Sequence, residues 1–267
     1  MLENELIWVR GAGELGSGVA HLLHRVGFHV YISDVTPSLA IRRPVTFSGA
    51  LTDGQSEVEG VEAKRAKSDK LDQSKAWKHI PLFEDDPEKL LGFKPTVIVD
   101  ARMLKKYTED YRSWADLFIG LGPGFDTDKN CHQAVETMRG HDLGRIITNG
   151  APLTDTGIPG KLGGETSRRL VRATRSGKIK WFTQFGELVT KGQRLALINN
   201  DKPVTAPLDG MVRGMISEHT PVVIGMKIGD IDPRGENVSY QQISEKARSI
   251  AAGVFEAIVL HHNEKRS

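Results

Sequence analysis

Cysteine is almost absent from this chain. Cys131 is the one cysteine in 267 residues, so an intrachain disulfide framework and an all-cysteine zinc or iron–sulfur site are both excluded. That scarcity fits a reducing compartment, and a cytoplasmic location is the expectation. An excess of either charge is also missing. Lys plus Arg number 36 and Asp plus Glu 34, a formal charge of +2, which gives no electrostatic footprint for nucleic acid or for an anionic membrane. Long apolar runs are missing too. The longest weakly polar stretch, Ile250 to Leu260, contains Glu256 and is too short to span a bilayer. The opening Met1-Leu2-Glu3-Asn4-Glu5 lacks the positive and apolar regions of a signal peptide. A chain of this length buries roughly 70–75% of its unfolded surface without staples.

The residues that are present begin with a βαβ pattern. Glu5 to Arg10 is a short apolar run that leads into Gly11-Ala12-Gly13-Glu14-Leu15-Gly16. Val19, Leu22, Leu23 and Val26 then follow at helical spacing, Gly27 can end the helix, and Phe28 to Ser33 forms a second strand ending at Asp34. Gly11, Gly13 and Gly16 match a dinucleotide-type turn. The first permits the tight turn, the second lets backbone approach a pyrophosphate, and the third lets helix and strand pack closely. Asp34 stands where a ribose-binding acid is expected. Glu14 opposes tight pyrophosphate binding by its charge. A turn with a purely structural role, or one for another phosphate compound, fits the same residues.

Further strands are expected over Ile80 to Phe83, Thr96 to Val99, Leu117 to Ile119 and Arg145 to Thr148, and a short helix over Leu71 to Trp77. In a doubly wound sheet, ligands sit outside the carboxyl ends of the strands. Those ends carry Asp100-Ala101-Arg102 and Gly120-Leu121-Gly122-Pro123-Gly124. Arg102 and Arg42 are candidate anion contacts, and Gly122 and Gly124 candidate close-approach positions for a cofactor; a surface salt bridge is the alternative for Arg102. A helix is expected from Asp128, carrying Cys131, Val135 and Met138. Cys131 and His132 would then lie in its first turn, where the dipole favours a thiolate, and they are the candidate catalytic pair. A small buried cysteine is the commoner state of a free thiol. His132, Glu136 and His141 fit no common zinc spacing, so no metal is expected.

Composition changes at Gly150. Five glycines and two prolines fall between Gly150 and Glu165, which reads as a linker. The division expected is residues 1–150 as a nucleotide- or cofactor-binding α/β domain with a parallel sheet, 151–165 as the linker, 166–235 as a small all-β domain, and 236–267 as a C-terminal helix. Short strands at Leu170 to Ala173, Gly177 to Ile179, Leu195 to Ile198, Met211 to Arg213 and Val222 to Ile224 make up the β domain.

Several of these segments carry a resemblance. Gly11 to Ala20, Arg42-Arg43, Ile119 to Phe125, Val135 to Arg145 and Gly225 to Arg234 resemble the selenium-dependent molybdenum hydroxylase accessory family. That family is similar, more distantly, to xanthine dehydrogenase maturation factors with a Rossmann-like domain. The resemblance spans nearly the whole chain. It implies a maturation role and a phosphorylated, molybdopterin-type cofactor. It also implies selenium or sulfur handling, with Cys131 as a persulfide-type carrier, and a molybdenum hydroxylase or its maturation proteins as partners. Homo-oligomerisation is left open. A dinucleotide, and with it a NAD(P)-dependent oxidoreductase, is the alternative, and a non-catalytic scaffold for the hydroxylase is a third. The β domain resembles the barrel-sandwich fold of biotinyl and lipoyl domains in Gly186 to Gln193 and Ala206 to Gly210. Its hairpin Asn199-Asn200-Asp201-Lys202-Pro203 lacks the methionine-flanked lysine, so neither biotin nor lipoate is expected on Lys202.

Overall fold

In a computed structural model of the chain, residues 5–66, 71–74, 77–158 and 160–265 are described. They form two compact units. The first comprises the chain up to Thr36, Val45–Thr156 and the segment from Ile243 onward; the second comprises Pro37–Pro44 and Gly157–Gln242.

The first unit is a mixed α/β fold. Its elements in order are β1 (Leu6–Arg10), α1 (Glu14–Arg25), β2 (His29–Asp34), α2 (Ala50–Asp53), β3 (Gln55–Val58), β4 (Val61–Arg65), β5 (Ile80–Glu84), α3 (Pro87–Leu91), β6 (Val97–Asp100), β7 (Leu117–Leu121), β8 (Gln133–Val135) and β9 (Ile146–Ile147). One nine-stranded sheet joins them in the order β3-β4-β5-β2-β1-β6-β7-β8-β9. The run from β4 to β8 is parallel, and the edge strands β3 and β9 pair antiparallel. Strand β1 lies at the centre, with β2 on one side and β6 on the other, so the order of the sheet reverses there.

Burial on both faces explains why β1 reads as a continuous apolar run. Ile7 and Val9 join one core with Val19 and Leu23 of α1, whereas Leu6 and Trp8 join a second core with Tyr31 and Phe118. Gly27, at φ +99°, ends the α1 connection before β2. The Asp86 carboxylate caps α3, accepting the Lys89 N–H at 3.3 Å. The helix expected over 71–77 runs through residues 75 and 76, outside the described residues; residues 73 and 74 form a turn.

No helix starts at Asp128. The chain makes one turn, held by the Asp126 Oδ1 that accepts the Asp128 N–H and by the Asn130 Oδ1 that accepts the Asp126 N–H. It then enters β8, which pairs with β7. Cys131, Val135 and Met138 recur at helical spacing, but Gln133 to Val135 extend the parallel sheet instead. Tertiary pairing overrides a local period this short.

The second unit holds β10 (Leu170–Arg172), β11 (Ile179–Trp181), β12 (Leu188–Val189), β13 (Arg194–Ile198), β14 (Lys202–Thr205), β15 (Gly210–Met215) and β16 (Lys227–Asp232). They form two antiparallel sheets, β10-β16-β15-β12 and β11-β13-β14. Val171, Ile179, Leu195, Ile198, Val212 and Ile231 share its core. The β13–β14 hairpin turns through Asn199, Asn200 and Asp201, with Asn199 and Asn200 at positive φ (54° and 65°), a conformation asparagine tolerates. Lys202 is thus the first residue of a strand and not the tip of a turn. Of the strand expected over Val222 to Ile224, only Val222 pairs, in a single bridge to Gly177. Two buried carboxylates link three arginines: Arg169 and Arg213 on Asp230, Arg213 and Arg234 on Asp232.

The C-terminal helix is α4 (Glu245–Glu264), capped by the Ser244 hydroxyl, which accepts the Ala247 N–H at 3.2 Å. It belongs to the first unit and packs on α1. A Cβ on Gly18 would lie 3.0 Å from the Ala247 Cβ, so the two helices touch with no side chain between them. Among the described residues no helix is long and apolar enough to cross a membrane.

Candidate functional site

The carboxyl ends of β1, β2, β5 and β6 bring the glycine turn and several charged groups together. Gly11 donates its N–H to the Ser33 carbonyl at 2.7 Å, which ties the turn to β2. Gly11 and Gly16 are required by the chain itself. Gly11 holds φ +104°, and a Cβ on Gly16 would stand 1.9 Å from the Gly11 carbonyl oxygen. Gly13 differs. Its φ is −69°, open to any residue, and a Cβ there would meet nothing within 4 Å. Gly13 is also the N-cap of α1, and no side chain caps the helix. The first-turn N–H groups therefore have no side-chain cap, and the helix terminus sets its partial positive charge behind them.

Asp34 ends β2 beside this turn. Its carboxylate accepts the Val35 N–H at 2.9 Å and takes a second backbone N–H from Ala12. Burial raises its pKa to about 6, and the nearby Asp85 adds to the rise.

Two arginines flank the same strand ends, each held by an aspartate. Arg10, the last residue of β1, is buried and donates to Asp85 from Nη2 at 2.8 Å and from Nε at 3.3 Å. Its guanidinium lies 5.1 Å from the Trp8 ring, 5.3 Å from Trp114 and 5.6 Å from Tyr111, and its Nη1 has no hydrogen-bond partner. Asp85 also accepts the Ser33 hydroxyl at 2.6 Å, and Ser33 accepts the Trp8 indole N–H at 2.9 Å. Arg102 is gripped by Asp100 through Nε at 3.0 and 3.1 Å and Nη2 at 2.5 Å. It is a partly buried ion pair rather than an unattached anion clamp. Neither Arg10 nor its orphaned nitrogen carried a signal in the sequence, where the residue reads as the end of an apolar strand. Arg42 is buried in the second unit.

The second glycine-rich strand end is filled from within. Phe125 lies over Gly120, where a Cβ would be 2.0 Å from its ring; Thr137 lies against Gly122, with Oγ1 2.3 Å from a Cβ; and the Lys106 carbonyl lies 2.4 Å from a Cβ on Gly124. Gly122 and Gly124 sit at φ +73° and +103°. These glycines serve the chain's own packing.

The expected accessible thiolate is corrected. Cys131 is fully buried with Phe118 and Phe125, and burial pushes its thiol up to about 12. It lies in no helix, so no helix dipole favours the anion. His132 is structural: its Nδ1 accepts the Phe118 N–H at 2.9 Å, and its own N–H donates to the Phe118 carbonyl at 3.0 Å, which continues the β7–β8 pairing. Burial lowers its pKa. Glu136 accepts backbone N–H groups from Thr137 and Met138 at 2.7 Å and from Leu153 at 2.8 Å, which fixes the loop after β8. Among the described residues no group of three or more His, Cys, Asp or Glu is placed to hold a metal.

No protein-family model matches the chain. The uncharacterized protein YqeB of Escherichia coli K12 is 41% identical over 263 residues, 96% of this chain and 48% of YqeB. The chain thus spans about half the length of that relative. Among solved structures, a succinylglutamate desuccinylase/aspartoacylase from Rhodobacter sphaeroides aligns over 32% of this chain and 30% of its own, at 20% identity and a TM-score of 0.23. A likeness at that level carries no argument about fold or function.

Proposed function

We propose that this chain binds a phosphorylated small molecule at the carboxyl ends of β1, β2 and β6. The observation that carries this reading is Gly13, a glycine that neither its φ nor its neighbours require, set as the uncapped N-terminus of α1. A phosphate approaching that backbone accounts for the missing side chain. Strand order supports it. The run β5-β2-β1-β6-β7-β8 has the doubly wound order in which ligands occupy the crevice where the order reverses. We read the sheet as Rossmann-like on that ground, and the second unit as a barrel sandwich of the biotinyl kind whose hairpin has no carrier lysine.

The biological setting rests on the motif resemblance. Gly11 to Ala20, Ile119 to Phe125, Val135 to Arg145 and Gly225 to Arg234 support an accessory role in maturing a selenium-dependent molybdenum hydroxylase. The ligand is then a molybdopterin-type cofactor. Buried Cys131 has no part in this reading, and no selenium or sulfur carriage is assigned to it. One observation favours a dinucleotide as the second ligand: the Asp34 carboxylate, at the end of β2 and bonded to Ala12 of the turn, stands where a ribose hydroxyl is bound in dinucleotide sites.

Native mass spectrometry of the gently purified full chain identifies the bound molecule. Calorimetric titration with pyrophosphate, NADH and a pterin monophosphate then compares wild type with Gly13→Val. The expected outcome is at least tenfold weaker binding by the variant with an unchanged fold. Equal affinity of both proteins for every probe would make the turn structural only.

A further inference from the structure

We propose that Arg10 and Asp85 form a buried brace that positions Asp34 and the glycine turn, which makes Arg10 a positioning residue of the strand-end site. This rests on the binding reading above and adds to it a pair that lies on the other face of the sheet.

Three neighbouring strands, β5, β2 and β1, meet in this brace. Arg10 ends β1 and stands opposite Ser33 of β2 in the register, and Asp85 follows β5. One carboxylate joins them. Asp85 takes the Arg10 guanidinium on both of its oxygens, at 2.8 and 3.3 Å, and the Ser33 hydroxyl at 2.6 Å. The backbone continues the same ties. The Asp85 N–H donates to the Asp34 carbonyl at 3.0 Å, and the Gly11 N–H donates to the Ser33 carbonyl at 2.7 Å. Both carbonyls of Ser33-Asp34 are thus held, and so is the Ser33 hydroxyl, which also accepts the Trp8 indole N–H at 2.9 Å.

Alternation decides what the brace touches. Ile32 shares the core of α1, whereas Tyr31 shares the core of Trp8 on the opposite face. Ser33 and Arg10 therefore lie on the Trp8 face, and Asp34 lies on the α1 face beside the turn. Arg10 acts on the turn through β2 and not by contact with what binds there.

A buried ion pair is a poor source of stability, because desolvation offsets its attraction, and apolar residues of similar size often serve the fold as well. Here the rings of Trp8, Trp114 and Tyr111 close in the guanidinium, and its Nη1 has no hydrogen-bond partner among the described residues. Stability alone does not account for such a pair. What it supplies is direction: a forked donor and a carboxylate fix the end of β2 against the end of β1. A carboxylate that meets a ligand hydroxyl needs that support behind it.

The test replaces the pair by apolar residues, Arg10→Met with Asp85→Val, in the full chain. Arg10→Lys, which keeps the charge but not the fork, is measured beside it. Amide hydrogen exchange of the unliganded proteins is read at Gly11 and Val35, whose N–H groups bond the Ser33 carbonyl and the Asp34 carboxylate, and at His132, bonded to the Phe118 carbonyl, as the control. Exchange at Gly11 and Val35 should quicken about tenfold in the double variant and about threefold in Arg10→Lys, with His132 unchanged in both. In the double variant affinity for NADH should fall about tenfold, while affinity for pyrophosphate, which has no hydroxyl for Asp34, stays within about threefold of wild type. Should the double variant not fold, exchange in Arg10→Lys decides. Unchanged exchange at Gly11 and Val35 overturns the brace, and so does an equal rise at all three amides, which marks a general loss of stability. If Gly13→Val loses both ligands and the double variant keeps both at wild-type affinity, the brace falls while the binding site stands. A wild type that binds neither ligand overturns the site and, with it, the role of Arg10.

Discussion

Two glycine-rich turns stand at carboxyl ends of the same parallel sheet, one after β1 and one after β7. As sequence they look alike. As structure they are opposites. In the turn after β7 every missing side chain is replaced by the chain's own atoms: the Phe125 ring, the Thr137 hydroxyl and the Lys106 carbonyl. In the turn after β1 the same holds at Gly11 and Gly16, but Gly13 is left open. The number of glycines therefore does not separate a packing turn from a binding turn. What occupies the space of the absent Cβ does.

The sharpest way to break this contrast is Gly16→Ala. Its methyl would meet a backbone oxygen that cannot rotate away, so α1 must move off β1, and we expect a loss of about 3 kcal/mol in urea unfolding. A cost below about 0.5 kcal/mol would mean that α1 and β1 are less closely apposed than described. Next in size is Gly120→Ala. The obstacle there is a side chain, Phe125, so the expected loss is about 2 kcal/mol. Adding Phe125→Leu to that variant should recover part of it; failure to recover would show that Phe125 is not the obstacle.

Cys131 provides a pH test of the filled turn. Its thiol is pushed up to about 12 in the folded chain, against a free-cysteine value of about 8.5. Above the free value the unfolded chain releases this proton first, so stability should fall as pH rises from there toward the folded value, by at most about 1.4 kcal/mol per pH unit. Cys131→Ala should flatten that slope, and alkylation of the native thiol should wait on unfolding. Rapid labelling near pH 8 would place the cysteine at the surface. The smallest effect is expected at the open position. Gly13→Ala should change stability by no more than about 0.5 kcal/mol, because the lost N-cap preference and the reduced freedom of the unfolded chain offset each other.

The same contrast explains which parts were legible in the sequence. The turn after β1 is contiguous, and its strand, glycines, helix and Asp34 lie within one short segment, so local pattern sufficed. The segment from Asp128 was misread because Cys131, Val135 and Met138 recur at helical spacing, while the pairing partner that makes β8 a strand, Ile119 to Leu121, lies outside any local window. In the second unit the short strands β12, β14 and β16 were not anticipated, since two to six residues seldom establish an alternation. Arg10 left no signal, because its surroundings are assembled by the sheet order, which has no local spacing.

The contact of α1 with α4 shapes how the protein is made. The helix that covers α1 is encoded after all of the second unit, so residues 18 and 247 meet only after the second unit has been made. At about 5–20 residues per second, the apolar side chains of α1 wait on the order of tens of seconds for their partner. Closure between such distant segments also slows folding. A nascent or truncated chain ending before Ile243 would hold a sheet with part of one face uncovered, and we expect such a species to be held by chaperones or degraded.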